Sequence, residues 1–349
     1  MKLLERTLKQ IKGLNEEAME KARKRVDNLI KPVGSLGKLE EIAVQLAGIT
    51  GESFPRADKK SIIVMAADHG VWEEGIAEAP QQVTLMQAIN MTKKITGVCA
   101  LSKVSGADIV VVDIGVNADI EEEKIIKRKI GYGTRNLSKE PAMTRDEAVK
   151  AIEIGIEIAT AEVEKGKNIL ATGEMGIGNT TPSSAILSVI TGMDPSEVTG
   201  IGANLHPDKL ANKINVIKRA IEVNKPDKND PIDILSKLGG YEIAGMAGVF
   251  IGAAACSVPV VVDGFISTIS AIIAAMIEPK VKSYLIASHS SEEKAAKKAS
   301  ELIGLKPMLD LNMRLGEGSG AALAFNIVEA ATDMNSMMIT FEESGIGVV

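Results

Sequence analysis

One acid stands out by its setting. In Leu315-Gly316-Glu317-Gly318-Ser319-Gly320, glycines alternate around Glu317, and an Ala-rich run starting at Ala321-Ala322 follows. Glycine on either side lets the backbone come close to a ligand and presents the carboxylate without crowding. A carboxylate displayed in this way is suited to take a proton from a reacting group. The helix that begins here would favour its charged form through the dipole, while an apolar pocket would oppose it. An acid in a capping turn has the same local pattern, so both readings stand.

A second segment has the makings of an anion site. A strand-like run, 168–172, leads into Gly173-Glu174-Met175-Gly176-Ile177-Gly178-Asn179-Thr180-Thr181 and then a helical run from Pro182. Thr181 before Pro182 reads as an N-cap and first-turn pair. Glycines between a strand and a helix start offer N–H groups and the positive end of a helix to an anion such as phosphate. The spacing, G-x-x-G-x-G with no Gly-Lys-Ser/Thr, is neither a Walker loop nor the dinucleotide fingerprint. A tight strand–helix turn packed with glycines is the alternative. Glu174 would repel a phosphate, so it is expected to face hydroxyls or a cationic ring.

Other reactive residue types are sparse. His69, in Asp68-His69-Gly70, is read first as a hydrogen-bonded residue at a strand end, and His206 as solvated. His289, in Ser288-His289-Ser290-Ser291, is either a polar binding residue or part of a Ser-rich turn. No Gly-x-Ser-x-Gly elbow occurs. Neither Cys99 nor Cys256 has metal-ligand spacing, and both read as small apolar side chains.

Positioning these groups falls to an alternation of β-rich and helical segments. Short runs at 61–66, 108–112, 168–172, 258–262, 284–287 and a weaker one at 308–311 are apolar on both faces, as parallel strands covered by helices must be. Most connections are long enough for crossover helices. The pattern predicts an α/β, doubly wound, mainly parallel sheet. The unusual acids, glycines and histidines follow the runs, where ligands bind in such sheets. Residues 1–50 read as helices, with 32–37 breaking two of them apart. The segment after 331 is expected to fold back on them. No interdomain linker stands out.

The chain has 349 residues, a net charge of −6 and only 3% aromatic residues. With no basic stripe and few stacking rings, nucleic acid is excluded as a partner. The segment 243–262 holds twenty residues without a charge, long enough for a membrane span. Its Gly/Ala content, Pro259 and the following Asp263 point instead to a buried helix, a turn at 257–259 and a strand. No signal-peptide pattern opens the chain, so a cytoplasmic setting is expected.

Taken together, the motifs resemble the nicotinate-nucleotide–dimethylbenzimidazole phosphoribosyltransferase family. The resemblance rests on Lys31 to Glu40, Ala67-Asp68-His69-Gly70-Val71, Pro80 to Thr84, Val112 to Val116, Gly173 to Thr181, Asp263-Gly264-Phe265, Ser288-His289 with Ser291 and Glu293, and Leu315 to Ala322, in family order along nearly the whole chain. It implies a homodimer, with a small helical domain made from both termini, 1–55 plus 332–349, beside an α/β catalytic domain, 56–331, acting on small molecules and carrying no cofactor or metal. It implies Glu317 as general base and the nucleotide phosphate at Gly176, Ile177, Gly178, Asn179 and Thr180, with Lys213 helping to hold it. It further implies substrate contacts from Glu174, Asp263, Ser291, Leu315 and Gly316, and an acceptor-base pocket near Pro80 and Met86. Two departures stand out. Where the family commonly has Gly-Arg-Gly-Thr-Gly, this chain has Gly200-Ile201-Gly202-Ala203-Asn204. Where the family often has Gln before Met, here Met86 precedes Gln87.

Overall fold

The computed structural model describes residues 3–202 and 205–345. Six parallel strands form the sheet: β1 (Lys60–Ala67), β2 (Asp108–Gly115), β3 (Ile126–Lys127), β4 (Ile169–Met175), β5 (Val260–Val262) and β6 (Leu285–Ala287), in the order β3-β2-β1-β4-β5-β6. This is the α/β doubly wound arrangement that the alternation predicts. The order reverses between β1 and β4, where such sheets leave a crevice for ligands.

β1 shows why the sheet is buried on both sides. Ile63, Met65 and Ala67 face one core, and Ile62, Val64 and Ala66 the other. The helices Arg145–Glu164, Tyr241–Ala255 and Phe265–Ile277 cover the first face. The helices Lys38–Thr50, Gln82–Thr92, Gly97–Ser105 and Ser319–Met337 cover the second.

The uncharged stretch 243–262 is a buried helix, a turn through Ser257 at φ 57° and then β5, as expected. Its glycines serve close packing. A Cβ at Gly248 would lie 2.0 Å from Ile152 O, and one at Gly155 would lie 1.9 Å from Gly245 O. Two helix backbones thus touch where any side chain would separate them. No helix among the described residues is long and apolar enough to cross a membrane.

Four local expectations need correction. The run 308–311 is no strand; Leu309 makes only an isolated bridge to His289. β3 has two residues, too few for any periodicity to show. β4 continues to Met175, so Gly173 and Glu174 belong to the strand. The helix after it begins two residues early, with Asn179 at the N-cap position and Thr180 first in the helix.

The segments 25–29 and 335–343 meet. Arg25 donates to Asn335 O, to Met338 O and to Glu343, and Leu29 bridges Thr340. The helix Ser319–Met337 runs unbroken through the 331/332 boundary, while Leu4 and Ile11 join the main core.

Candidate active site

A cavity of about 230 Å³ opens at the carboxyl ends of β4, β5 and β6. Glu174, Gly176, Ile177, Gly178, Asn179, Thr180, Lys213, Asp263, Ser291, Leu315, Gly316 and Glu317 all line it. Residues from separate stretches of sequence therefore converge on one space.

Glu317 is buried, in the left-handed backbone region at φ 63°, between Gly316 and Gly318 at φ 84° and 93°. Such a φ on a non-glycine residue costs on the order of 1–3 kcal/mol and persists only where the surroundings enforce it. Here they do. One carboxylate oxygen accepts from Gln87 Nε2 at 3.2 Å, the other from the Val98 N–H at 3.0 Å. Val98 sits in the first turn of the helix Gly97–Ser105, so the dipole favouring the Glu317 charge belongs to that helix, rather than to the one following Glu317.

The loop itself is clamped by Asp263. Its carboxylate accepts from the N–H groups of Gly318 (3.2 Å), Gly320 (2.8 Å) and Ala321 (3.0 Å), capping the helix Ser319–Met337 from a distant strand end. Burial raises the Asp263 carboxyl pKa, opposed by His289 and by the N–H groups of Ala321, Gly264 and Gly320. The His289 ring is wedged against Gly320, where a Cβ would lie 1.8 Å from Nδ1, and Nδ1 pairs with Ser288 Oγ at 3.0 Å.

Glu174 links the two loops. It accepts from Asn179 Nδ2 at 2.5 Å and from the Glu317 N–H at 3.3 Å. Burial pushes its pKa up to about 7, against the lowering effect of Asn179, with Glu242 and Asp263 adding to the rise. At the helix start Thr180–Thr191, Thr84 Oγ1 takes the Ile177 N–H, and turn bonds use those of Asn179 and Thr181. Among the described residues the N–H groups of Gly176, Gly178 and Thr180 take no such partner and could meet an anion. Lys213 Nζ donates to Thr180 Oγ1 at 2.8 Å and to Gly200 O at 3.1 Å, and burial pulls its pKa down to about 8.

Two expected residues lie elsewhere. Pro80 lines a separate cavity with Asp68, Trp72 and Gln81, and Met86 is 58% exposed. The physical reason is helical phase: Val83 and Gln87, one turn apart on Gln82–Thr92, face the site, and Met86, rotated by about 100°, faces away. Gln87, the Val98 N–H, Glu293 and Arg314 are the site groups that residue reasoning did not pick out. The departure at Met86-Gln87 was a signal for Gln87, and Glu293 stands in one of the motifs that carry the resemblance. Ile201 lines the cavity beside Gly202, but Ala203 and Asn204 of that stretch lie outside the described residues.

His69 is fully buried, its Nε2 2.8 Å from Glu242 Oε1, as the hydrogen-bonded reading expects. Burial lowers its pKa, but Glu242, Asp68 and Glu174 together raise it. His206 is exposed and caps a helix through the Asp208 N–H. Among the described residues no cluster of His, Cys, Asp and Glu could hold a metal ion.

Comparisons with known proteins agree with this geometry. A family model described as "Phosphoribosyltransferase" matches residues 11–346. The chain is similar to the nicotinate-nucleotide–dimethylbenzimidazole phosphoribosyltransferase of Alkaliphilus metalliredigens, at 58% identity over 100% of both chains. It is similar to the protein of that name from Acetivibrio thermocellus, at 52% identity over 99% of this chain and 98% of the other. The crystal structure of the Thermus thermophilus protein of that name superposes with a TM-score of 0.91, at 34% identity over 96% of this chain and 100% of that one. With the match running through both loops of the cavity, the chain belongs to the nicotinate-nucleotide–dimethylbenzimidazole phosphoribosyltransferase family.

Proposed function

We propose that this enzyme moves the 5-phosphoribosyl group of nicotinate mononucleotide onto 5,6-dimethylbenzimidazole, giving α-ribazole 5′-phosphate and nicotinate, with inversion at C1′ and Glu317 as general base. The observation that carries the reading is the Glu317 carboxylate, buried and held by Gln87 and Val98 in the same cavity as the helix start beside Lys213. The names of the relatives support the same pair of substrates.

Nicotinate leaves from a positively charged pyridinium, so its departure neutralises the ring and no general acid is needed. The benzimidazole must lose its ring N–H as the other nitrogen attacks C1′, and one carboxylate is sufficient to accept that proton. Attack opposite the leaving group turns a β-riboside into an α-riboside. The ribose passes through an oxocarbenium-like state, which negative charge on Glu174 would stabilise. Holding the phosphate at Gly178, Thr180 and Lys213 fixes the ribose for that attack. No pyrophosphate leaves, so the reaction makes no demand for Mg²⁺. The reading carries with it the homodimer and the cytoplasmic setting expected for the family; sedimentation checks the first.

A second reading keeps the donor but changes the acceptor to adenine, another benzimidazole or a phenol. It is favoured by Gln87, whose amide donates to Glu317 at the place where this chain departs from the family order. The test is to incubate purified protein with nicotinate mononucleotide and 5,6-dimethylbenzimidazole, with and without EDTA, and to chromatograph the products. α-Ribazole 5′-phosphate formed equally in both supports the reading. Nucleotide binding without product would point to another acceptor, or to a nucleotide sensor without catalysis.

A further inference from the structure

The cationic end of the cavity contains an acid that the proposed reaction does not use. Lys213 is 1% exposed, and its two hydrogen-bond partners, Thr180 Oγ1 and Gly200 O, are both neutral. A buried ammonium needs a counter-charge. Glu293 lines the same cavity and a neighbouring one of about 420 Å³, sharing Ile201 and Arg314 with both. Burial raises its carboxyl pKa, and the charges of Lys213 and Arg314 oppose that rise. The carboxylate lies so close to the backbone at 200 that a Cβ on Gly200 would come within 2.5 Å of Glu293 Oε2. Residue 200 must therefore stay small for the acid to keep this place.

We propose that Glu293 is an internal counter-anion of the phosphate cradle, which sets how tightly the phosphates of donor and product are held. The inference rests on the reading that phosphate binds at Thr180 and Lys213. A phosphate arriving there gains the attraction of Lys213 and meets the repulsion of the fixed carboxylate. Donor and product carry the same 5′-phosphate. A stronger grip on it would stabilise ground state and transition state alike, and would not speed the chemical step. It would slow the departure of product. Glu293 weakens the grip while leaving the geometry of the cradle in place.

The experiment is calorimetric titration of full-length wild type, E293Q and E293A with inorganic phosphate, nicotinate mononucleotide and nicotinate riboside, alongside steady-state kinetics. Removing the negative charge should tighten inorganic phosphate and nicotinate mononucleotide about tenfold, leave the riboside unchanged, and lower KM without raising kcat. E293A, which loses the packing on Gly200 as well, must shift phosphate affinity in the same direction. Weaker phosphate binding in E293Q would overturn the proposal and make Glu293 a positioning residue for Lys213. Unchanged phosphate binding, or a riboside that tightens equally, would overturn it too. If wild type binds neither phosphate nor the nucleotide, the reading of the cradle itself fails, and the inference falls with it.

Discussion

The turn proposed to hold the phosphate takes most of its parts from consecutive residues, Glu174 to Thr181, joined by local turn bonds and the Asn179–Glu174 contact. The Glu317 turn takes almost none of its support from its neighbours. Gln87 and Val98 reach its carboxylate from 230 and 219 residues away, and Asp263 holds its backbone from a third element. The first turn is a local device that a strand–glycine–helix pattern specifies. The second is a strained conformation that exists because distant groups enforce it. Damage to the anion turn should therefore weaken binding, whereas damage around Glu317 should affect turnover and folding together.

The sharpest break in that comparison is Glu317→Ala. Loss of the base should cut kcat by about 10²–10⁴-fold while nicotinate mononucleotide still binds; loss of binding as well, by calorimetry, would make Glu317 a substrate-holding or structural residue. Next comes Asp263→Asn. The amide keeps one accepting oxygen and loses the other, so either the Gly318 N–H or the Gly320 and Ala321 N–H groups go unmet; urea denaturation should show a loss of about 1–3 kcal/mol, with kcat reduced because the Glu317 turn loosens. An unperturbed stability would show that the clamp matters less than its three contacts suggest.

Lys213→Met tests the other end. Donor affinity should fall at least tenfold with a smaller change in kcat. In wild type, phosphate binding should weaken above pH about 8, where the buried ammonium begins to lose its proton. The last test concerns the residue joining the two turns, and it leaves turnover aside. Glu174 binds a proton more tightly folded than unfolded, so its contribution to stability is full below pH about 4.5 and is lost as pH rises through about 7. Denaturation across this range should show that decline, amounting to roughly 3 kcal/mol at most, and Glu174→Gln should flatten it.

Much of the scaffold was legible in the residues. β1 and β2 announced themselves as apolar runs, and the uncharged stretch 243–262 revealed its turn through Pro259 and its burial through Gly and Ala. β3 was not legible, because two residues carry no period. The run 308–311 has strand composition but finds no neighbour beyond one bridge, and pairing is a tertiary event. Met86 illustrates the same limit within the site: position in a motif said which helix mattered, but the phase of that helix on the sheet chose Gln87.

What the sequence by itself determined was the alternation of strands and helices, the glycine turns at their ends, and the acids those turns display, since periodicity and backbone freedom are local properties. Only the tertiary structure decided what each acid became. Asp263 turned into a clamp, Glu174 a bridge whose proton affinity burial lifts to neutrality, Glu293 a neighbour of a buried lysine, and Glu317 a carboxylate held at the start of a helix more than two hundred residues away. Charge state and hydrogen-bond partners depend on what surrounds a group in space, and no local pattern carries that information.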